Sequence, residues 1–182
     1  ICDDCLVIDD CGSRLHARGS YPSVRLWPDA AAALLDLRQG GLTPVAEYTE
    51  KLRVPVDGRA LRFCEGPTPL ARVYVLDGDS SHAGDTSEVR INPLSRREAF
   101  LELLKHSYRL DVRALPSLRD DFDRLARAAN RMAIARLAFP RQLARLGEVR
   151  DAIVRDLDRR VSDAPIGAIL SEDSASCSTR RS

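Results

Sequence analysis

Two adjacent carboxylates, Asp3 and Asp4, lie at the beginning of the chain, just before the apolar run of residues 6–8. The β-branched residues and short length of that run predict a buried strand. Aspartate is unfavourable in a strand and costly to bury unless it holds a cation or accepts strong hydrogen bonds. Two interpretations follow: a tight turn in which the carboxylates bond to nearby backbone amides, or a magnesium or nucleophile-activating site at the end of a strand.

The residues that follow the pair predict a hairpin. Residues 9–13 have the composition of a turn, and residues 14–17 can return as a second strand. Such a hairpin would hold Asp3 and Asp4 in a fixed orientation.

A third charged residue of interest, Arg25, stands in a short apolar strand. Val24, Leu26 and Trp27 are assigned to the core, and Arg25 alternates with the first two, so its side chain is expected to point away from the face they bury. Arg25 is therefore either a surface charge or, if a cleft lies on that side, a phosphate contact.

The remaining elements are predicted from periodicity and capping signals, and they indicate an α/β or α+β domain with a mixed β-sheet flanked by helices. Residues 70–76 form the clearest strand and are expected to be central. The predicted elements are a helix over residues 30–37 capped by Asp29, a helix opened by a Ser95-x-x-Glu98 capping box, a helix from Ser117, a strand over residues 134–139 and a helix over residues 142–160.

Composition limits the classes of function. The chain has 182 residues and a formal charge of +1, so no broad positive field attracts nucleic acid or a membrane. No apolar run is long enough to cross a bilayer. The five cysteines lack the spacing of a disulfide framework or a complete zinc site, which favours reduced thiols in a cytoplasmic protein. Residues 161–182 lack apolar periodicity and are expected to be a disordered tail.

Four segments resemble a known family: residues 2–8 (CDDCLVI), 21–29 (YPSVRLWPD), 69–76 (PLARVYVL) and 93–99 (PLSRREA). Together they resemble the HPr kinase-like proteins, in particular short bacterial members often associated with peptide-modification gene clusters. The resemblance covers roughly residues 1–160, which it implies are one catalytic domain with the HPr kinase/PEP carboxykinase-like phosphate-loop fold.

The resemblance implies an ATP-dependent kinase that phosphorylates a serine of a small protein or peptide. One of Asp3 and Asp4 would help to hold Mg²⁺, and the other would orient or deprotonate the acceptor serine. Arg25 would bind substrate or phosphate. No nucleic acid or membrane partner is implied, and a homo-oligomer is compatible with the family.

One departure from the family concerns the phosphate loop, G-x-x-x-x-G-K-[ST], which the family carries upstream of its aspartate pair. The 182 residues contain no such loop, and the only lysines, Lys51 and Lys105, lack its context. We therefore expect the chain to be the later part of a longer protein, truncated at its N-terminus, and to bind ATP poorly or not at all by itself. The alternative is a non-catalytic module that recognises a peptide or protein through a sheet edge and the loop over residues 78–87.

Overall fold

The computed structural model describes residues 6–12, 14–19, 21–35, 42–56, 63–64, 66–77, 87–107 and 115–163. The chain divides into two compact units, Ile1–Leu70 (unit 1) and Ala71–Ser182 (unit 2). The predicted boundary between a catalytic domain over residues 1–160 and a disordered tail stays a prediction, because residues 164–182 lie outside the described part.

Unit 1 is built mainly from antiparallel strands. Its described elements form one sheet of order β1-β2-β6 and another of order β3-β5-β4. Four of its described apolar residues are buried: Leu15, Ala31, Val54 and Val56. The elements are β1 (Val7–Cys11), β2 (Arg14–Arg18), β3 (Ser23–Leu26), α1 (Pro28–Leu34), β4 (Thr43–Ala46), β5 (Thr49–Pro55) and β6 (Thr68–Pro69).

The predicted hairpin after the aspartate pair is confirmed by the pairing of β1 with β2. Two details of the prediction are wrong. Residues 9–11, predicted as part of the turn, belong to β1, and the apolar run of residues 6–8, predicted to be buried, is exposed.

Gly12 turns the chain with a φ of 75°, a left-handed conformation that glycine adopts without a steric penalty. The Asp10 side chain accepts a hydrogen bond of 3.2 Å from the Gly12 amide, and Asp9 pairs with Arg18 across the hairpin. Local turn chemistry and one cross-strand ion pair therefore define this hairpin.

Helix α1 corrects two predictions. The helix begins at Pro28, whose fixed φ and missing N–H suit the first helical position, so Trp27 rather than Asp29 is the N-cap. Asp29 lies in the first turn instead, where its carboxylate accepts a 2.8 Å hydrogen bond from the Ala30 amide. The assignment of Trp27 to the core is also wrong, since this residue is 51% exposed.

Unit 2 contains a mixed sheet of order β7-β9-β8, in which β9 is parallel to β7 and antiparallel to β8. The strand ending at Leu76 was predicted to be central, and this is wrong. Among the described strands of this sheet, β9 is central and β7 lies at the edge. The elements are β7 (Val73–Leu76), β8 (Arg90–Pro93), α2 (Arg96–His106), α3 (Leu115–Arg131), β9 (Ile134–Ala138), a 3-10 turn (Leu143–Arg145) and α4 (Leu146–Asp163).

Helices cover both faces of this sheet. Helices α2 and α3 pack over the face that carries Ile134, in a core that includes Ala99 and Ala129. Alternation along β7 directs Tyr74 to the opposite face, where its hydroxyl donates a 2.7 Å hydrogen bond to Asp156 of α4. Unit 2 is therefore a three-layer arrangement of helices, mixed sheet and helix.

The predicted capping box at the start of α2 is confirmed. The Ser95 hydroxyl accepts a hydrogen bond from the Glu98 amide, and the Glu98 carboxylate accepts a 2.9 Å hydrogen bond from the Ser95 amide.

The predicted fold class is confirmed in part. The structure contains both helices and strands, including a mixed sheet, whereas the specific phosphate-loop fold stays a prediction. Among the described residues, no helix combines the length and apolar character needed to cross a bilayer.

Candidate functional site

The predicted aspartate pair, Asp3 and Asp4, lies outside the described residues. The described chain begins at Leu6, and β1 begins at the next residue. The magnesium and acid–base roles assigned to the pair therefore stay predictions. Within the described part of the chain, no group of three or more His, Cys, Asp or Glu residues could hold a metal ion.

The other predicted site residue, Arg25, lies in the middle of β3 and is exposed, while its neighbours Val24 and Leu26 are half-buried. The predicted direction of its side chain is therefore confirmed. The guanidinium lies 5.8 Å from the centre of the Tyr21 ring and donates a 3.2 Å hydrogen bond to the Tyr21 hydroxyl. The aromatic ring steadies the arginine through a cation–π contact.

A second arginine stands beside Arg25. Strands β3 and β5 pair in a register that sets Arg25 directly opposite Arg53, so their side chains leave the same face of the sheet. Arg53 is also exposed. It makes no hydrogen bond or ion pair with any residue that the structure describes.

A third cation, Lys51, lies two residues before Arg53 on the same strand and therefore on the same face. Its ammonium group lies 5.4 Å from the centre of the Trp27 ring. We call this surface, formed by Arg25, Arg53 and Lys51 with Tyr21 and Trp27 beside them, the cationic face.

The other side of the β3-β5-β4 sheet is apolar. Val54 of β5 is 4% exposed, and α1, which contacts β5, buries Ala31 completely. A sheet with one apolar face packed on the core and one polar face is the usual antiparallel arrangement. The cationic face is therefore the outer face of this sheet.

Like charges directly opposite each other across two strands are destabilising. The register sets Arg25 opposite Arg53, and Lys51 adds a third positive charge on the same face. An anion bound between the two guanidinium groups would remove the repulsion and gain charge-assisted hydrogen bonds. The geometry thus favours an anionic ligand at this face.

Unit 2 brings together a different charged group around Glu102 of α2. The Glu102 side chain is 9% exposed and accepts hydrogen bonds from Arg136 at 2.9 Å and Lys105 at 3.1 Å. Burial raises the pKa of Glu102, but the hydrogen bond from Lys105 and the positive charges of Lys105 and Arg136 outweigh it and lower the pKa below its usual value. A carboxylate held ionised in this way stabilises the fold and is a weak proton acceptor.

The carboxyl ends of the parallel strands β7 and β9 border a cavity of about 390 Å³. Open α/β sheets commonly bind ligands at this edge. The cavity is lined by Leu76, Asp77, Phe139, Arg141, Gln142, Leu143 and Leu146, and Arg141 donates a 3.2 Å hydrogen bond to the Asp77 carbonyl. Most of this lining is apolar, so the cavity offers fewer charged groups to an anion than the cationic face does.

Sequence reasoning missed Arg53 and Lys51 as partners of Arg25. The sequence shows that Lys51 and Arg53 alternate along one strand. That Arg53 lies opposite Arg25, and Lys51 beside Trp27, depends on the register between β3 and β5. The same alternation could have predicted that Trp27 is exposed, because it lies two residues after Arg25 and therefore on the same face.

No known protein family, curated protein or solved structure matches this chain. Its functional interpretation therefore depends on its own residues and their geometry.

Proposed function

We propose that this chain is part of an ATP-dependent, HPr kinase-like cytoplasmic enzyme that transfers a phosphoryl group to a serine of a small protein or peptide. The observation that supports the proposal most directly is the cationic face at Arg25. The family resemblance implies a substrate or phosphate contact at this residue, and it stands opposite a second exposed arginine.

The chemistry of phosphoryl transfer explains why such a face would be useful. The protein contributes mainly positioning and charge neutralisation, because little covalent chemistry is left for side chains to do. A guanidinium presents a planar set of donors that suits phosphate and carboxylate oxygens. Paired arginines are therefore suited to hold an anionic reactant in place.

In this proposal Asp3 and Asp4 perform the acid–base and metal-binding roles. Carboxylate oxygens are the ligands that Mg²⁺ prefers, so the chemistry of the pair fits this ion. One aspartate would hold the ion and the other would orient the serine hydroxyl or accept its proton. The bound ion would neutralise charge on the transferring phosphate oxygens.

The proposal also requires a phosphate-binding loop, which the 182 residues do not contain. The coding sequence immediately before Ile1 is therefore the first test. An in-frame G-x-x-x-x-G-K-[ST] segment would support the kinase. An intact gene without one would contradict it.

The second test measures transfer of labelled phosphate from ATP to serine peptides by the protein encoded by the whole gene. We expect Asp3→Asn and Asp4→Asn each to lower turnover by about 100-fold or more, the usual scale for losing a general base or a metal ligand. Asp10→Asn is the matched control, because the asparagine oxygen can still accept the hydrogen bond from the Gly12 amide. Unchanged turnover in both aspartate variants would contradict their assigned roles.

A second candidate function is a non-catalytic module that binds a peptide or protein. It is favoured by the same open cationic face, because docking an acidic partner needs neither nucleotide nor metal. Binding without transfer by the whole gene product would favour the module. Residues 78–86 of its predicted recognition loop lie outside the described residues.

A further inference from the structure

We infer that the cationic face docks an extended acidic segment of the peptide substrate, with carboxylates at alternate positions. That this segment belongs to a substrate rests on the proposed kinase activity. Its binding to the cationic face does not. The inference depends on the spacing, the charge and the exposure of the residues on β3 and β5.

The spacing comes from the register of the two strands. Arg25 and Arg53 form one row across the sheet, and Trp27 with Lys51 forms the next row, two residues along. Because each strand residue advances about 3.4 Å, the rows are separated by about 7 Å. An extended peptide repeats its side chains on one side at the same interval, so residues i and i+2 can each meet one row.

The charges select acidic side chains at those positions. Arg53 has no ion-pair or hydrogen-bond partner among the described residues, and Lys51 is placed against an aromatic ring rather than a carboxylate. A carboxylate over the Arg25–Arg53 row could bond to both guanidinium groups. A second carboxylate two residues away would meet Lys51.

The aromatic residues fit a peptide better than a single small anion. Trp27 is 51% exposed, and Tyr21 lies at the other end of the β3 side of the face. Their rings offer apolar contact to the aliphatic parts of a peptide on either side of the arginine row. An isolated phosphate would use only one row and would leave the cation of the other row without a ligand.

The chain offers its own reporter for this binding. Trp27 is its only tryptophan, so its emission reports on the cationic face alone when the peptide lacks tryptophan and tyrosine. The probe is a serine-containing dodecapeptide with Glu at every second position, and its control has Gln at those positions. Titrations use the full 182-residue chain in low salt without nucleotide.

We expect the Glu peptide to change Trp27 emission and to bind about tenfold more tightly than the Gln peptide, a difference of about 1.4 kcal/mol. Arg25→Ala with Arg53→Ala should reduce this preference to the part that Lys51 supplies, whereas Arg127→Ala on α3, also exposed, should leave it unchanged. A charge exchange tests the face independently of weakened folding. The Arg25→Glu, Arg53→Glu variant should prefer a dodecapeptide with Lys at the alternate positions.

Equal binding of the Glu and Gln peptides, or a preference that loss of both arginines leaves unchanged, would overturn the inference. Saturation of the Trp27 change by inorganic phosphate at concentrations below those of the peptide would also overturn it and assign the face to phosphate. A different result would contradict the kinase proposal. If the acidic peptide binds but the whole gene product transfers no phosphate, the docking inference stands and the kinase does not.

Discussion

At the scale of single residues, the two units use arginine for opposite purposes. The Arg72 side chain of unit 2 is 1% exposed, and Asp156 lies 2.7 Å from it, so its charge is balanced inside the fold. Arg25 and Arg53 of unit 1 are exposed and stand opposite each other. A buried ion must be paired to be tolerated, whereas an exposed like-charged pair is tolerated only at a modest cost. The second arrangement is therefore the better indication of a ligand.

Glu102 illustrates the balanced case and gives a prediction about stability. Glu102→Gln removes the negative charge that Arg136 and Lys105 contact, and we expect it to lower the free energy of unfolding by about 1–2 kcal/mol at neutral pH. Urea denaturation measures the difference. Glu88→Gln is the matched control, because Glu88 is exposed and lies 3.8 Å from Arg90, so its loss should change stability by less than about 0.5 kcal/mol.

The pH dependence of this difference follows from the lowered pKa of Glu102. A carboxyl group with a lower pKa in the folded state stabilises the protein above its ordinary pKa of 4.5, and this stabilisation is lost as the pH falls through the lowered value. The gap between the native protein and Glu102→Gln should therefore narrow as the pH is lowered from about 5 to about 3. A gap that stays constant over this range would show that the charge of Glu102 is not its cause.

At the scale of elements, two local signals were predicted correctly, although the N-cap of α1 was not, and the pairing of distant strands was not predicted. The Ser95-x-x-Glu98 capping box depends on residues within one turn, and the structure confirms it. The β1–β2 hairpin likewise depends on a short turn. The central place of β9 and the Arg25–Arg53 row depend on pairing between distant strands, which periodicity along one segment does not determine.

The capping box also gives a prediction for helix α2. Ser95→Ala removes the hydroxyl that accepts from the Glu98 amide, so we expect a loss of about 1 kcal/mol in the free energy of unfolding. Ser107→Ala at the other end of the helix is the control. Among the described residues, its hydroxyl bonds only to the Leu104 carbonyl, in an exposed position, so its loss should cost less than about 0.5 kcal/mol. A Ser95→Ala loss no larger than that of Ser107→Ala would show that the box stabilises the helix no more than an ordinary exposed hydrogen bond does.

At the scale of the whole molecule, the division into two units places two spectroscopic probes in different parts of the chain. The only tryptophan, Trp27, belongs to unit 1, whose described helix is the short α1. The longer helices α2, α3 and α4 belong to unit 2 and dominate the helical signal of the described residues. Tryptophan emission and circular dichroism at 222 nm therefore follow the unfolding of different units.

Two substitutions make this separation testable. Asp156→Asn leaves the buried Arg72 charge in unit 2 without its carboxylate, which should cost about 3 kcal/mol and lower the urea midpoint seen by circular dichroism. Val54→Ala opens a cavity in the core of unit 1, which should cost about 2 kcal/mol and lower the midpoint seen by Trp27 emission. Because contacts concentrate within each unit, we expect each substitution to shift mainly its own probe. If both probes shifted together in both variants, the units would unfold as one cooperative body, and binding at the cationic face would then also stabilise the sheet and helices of unit 2.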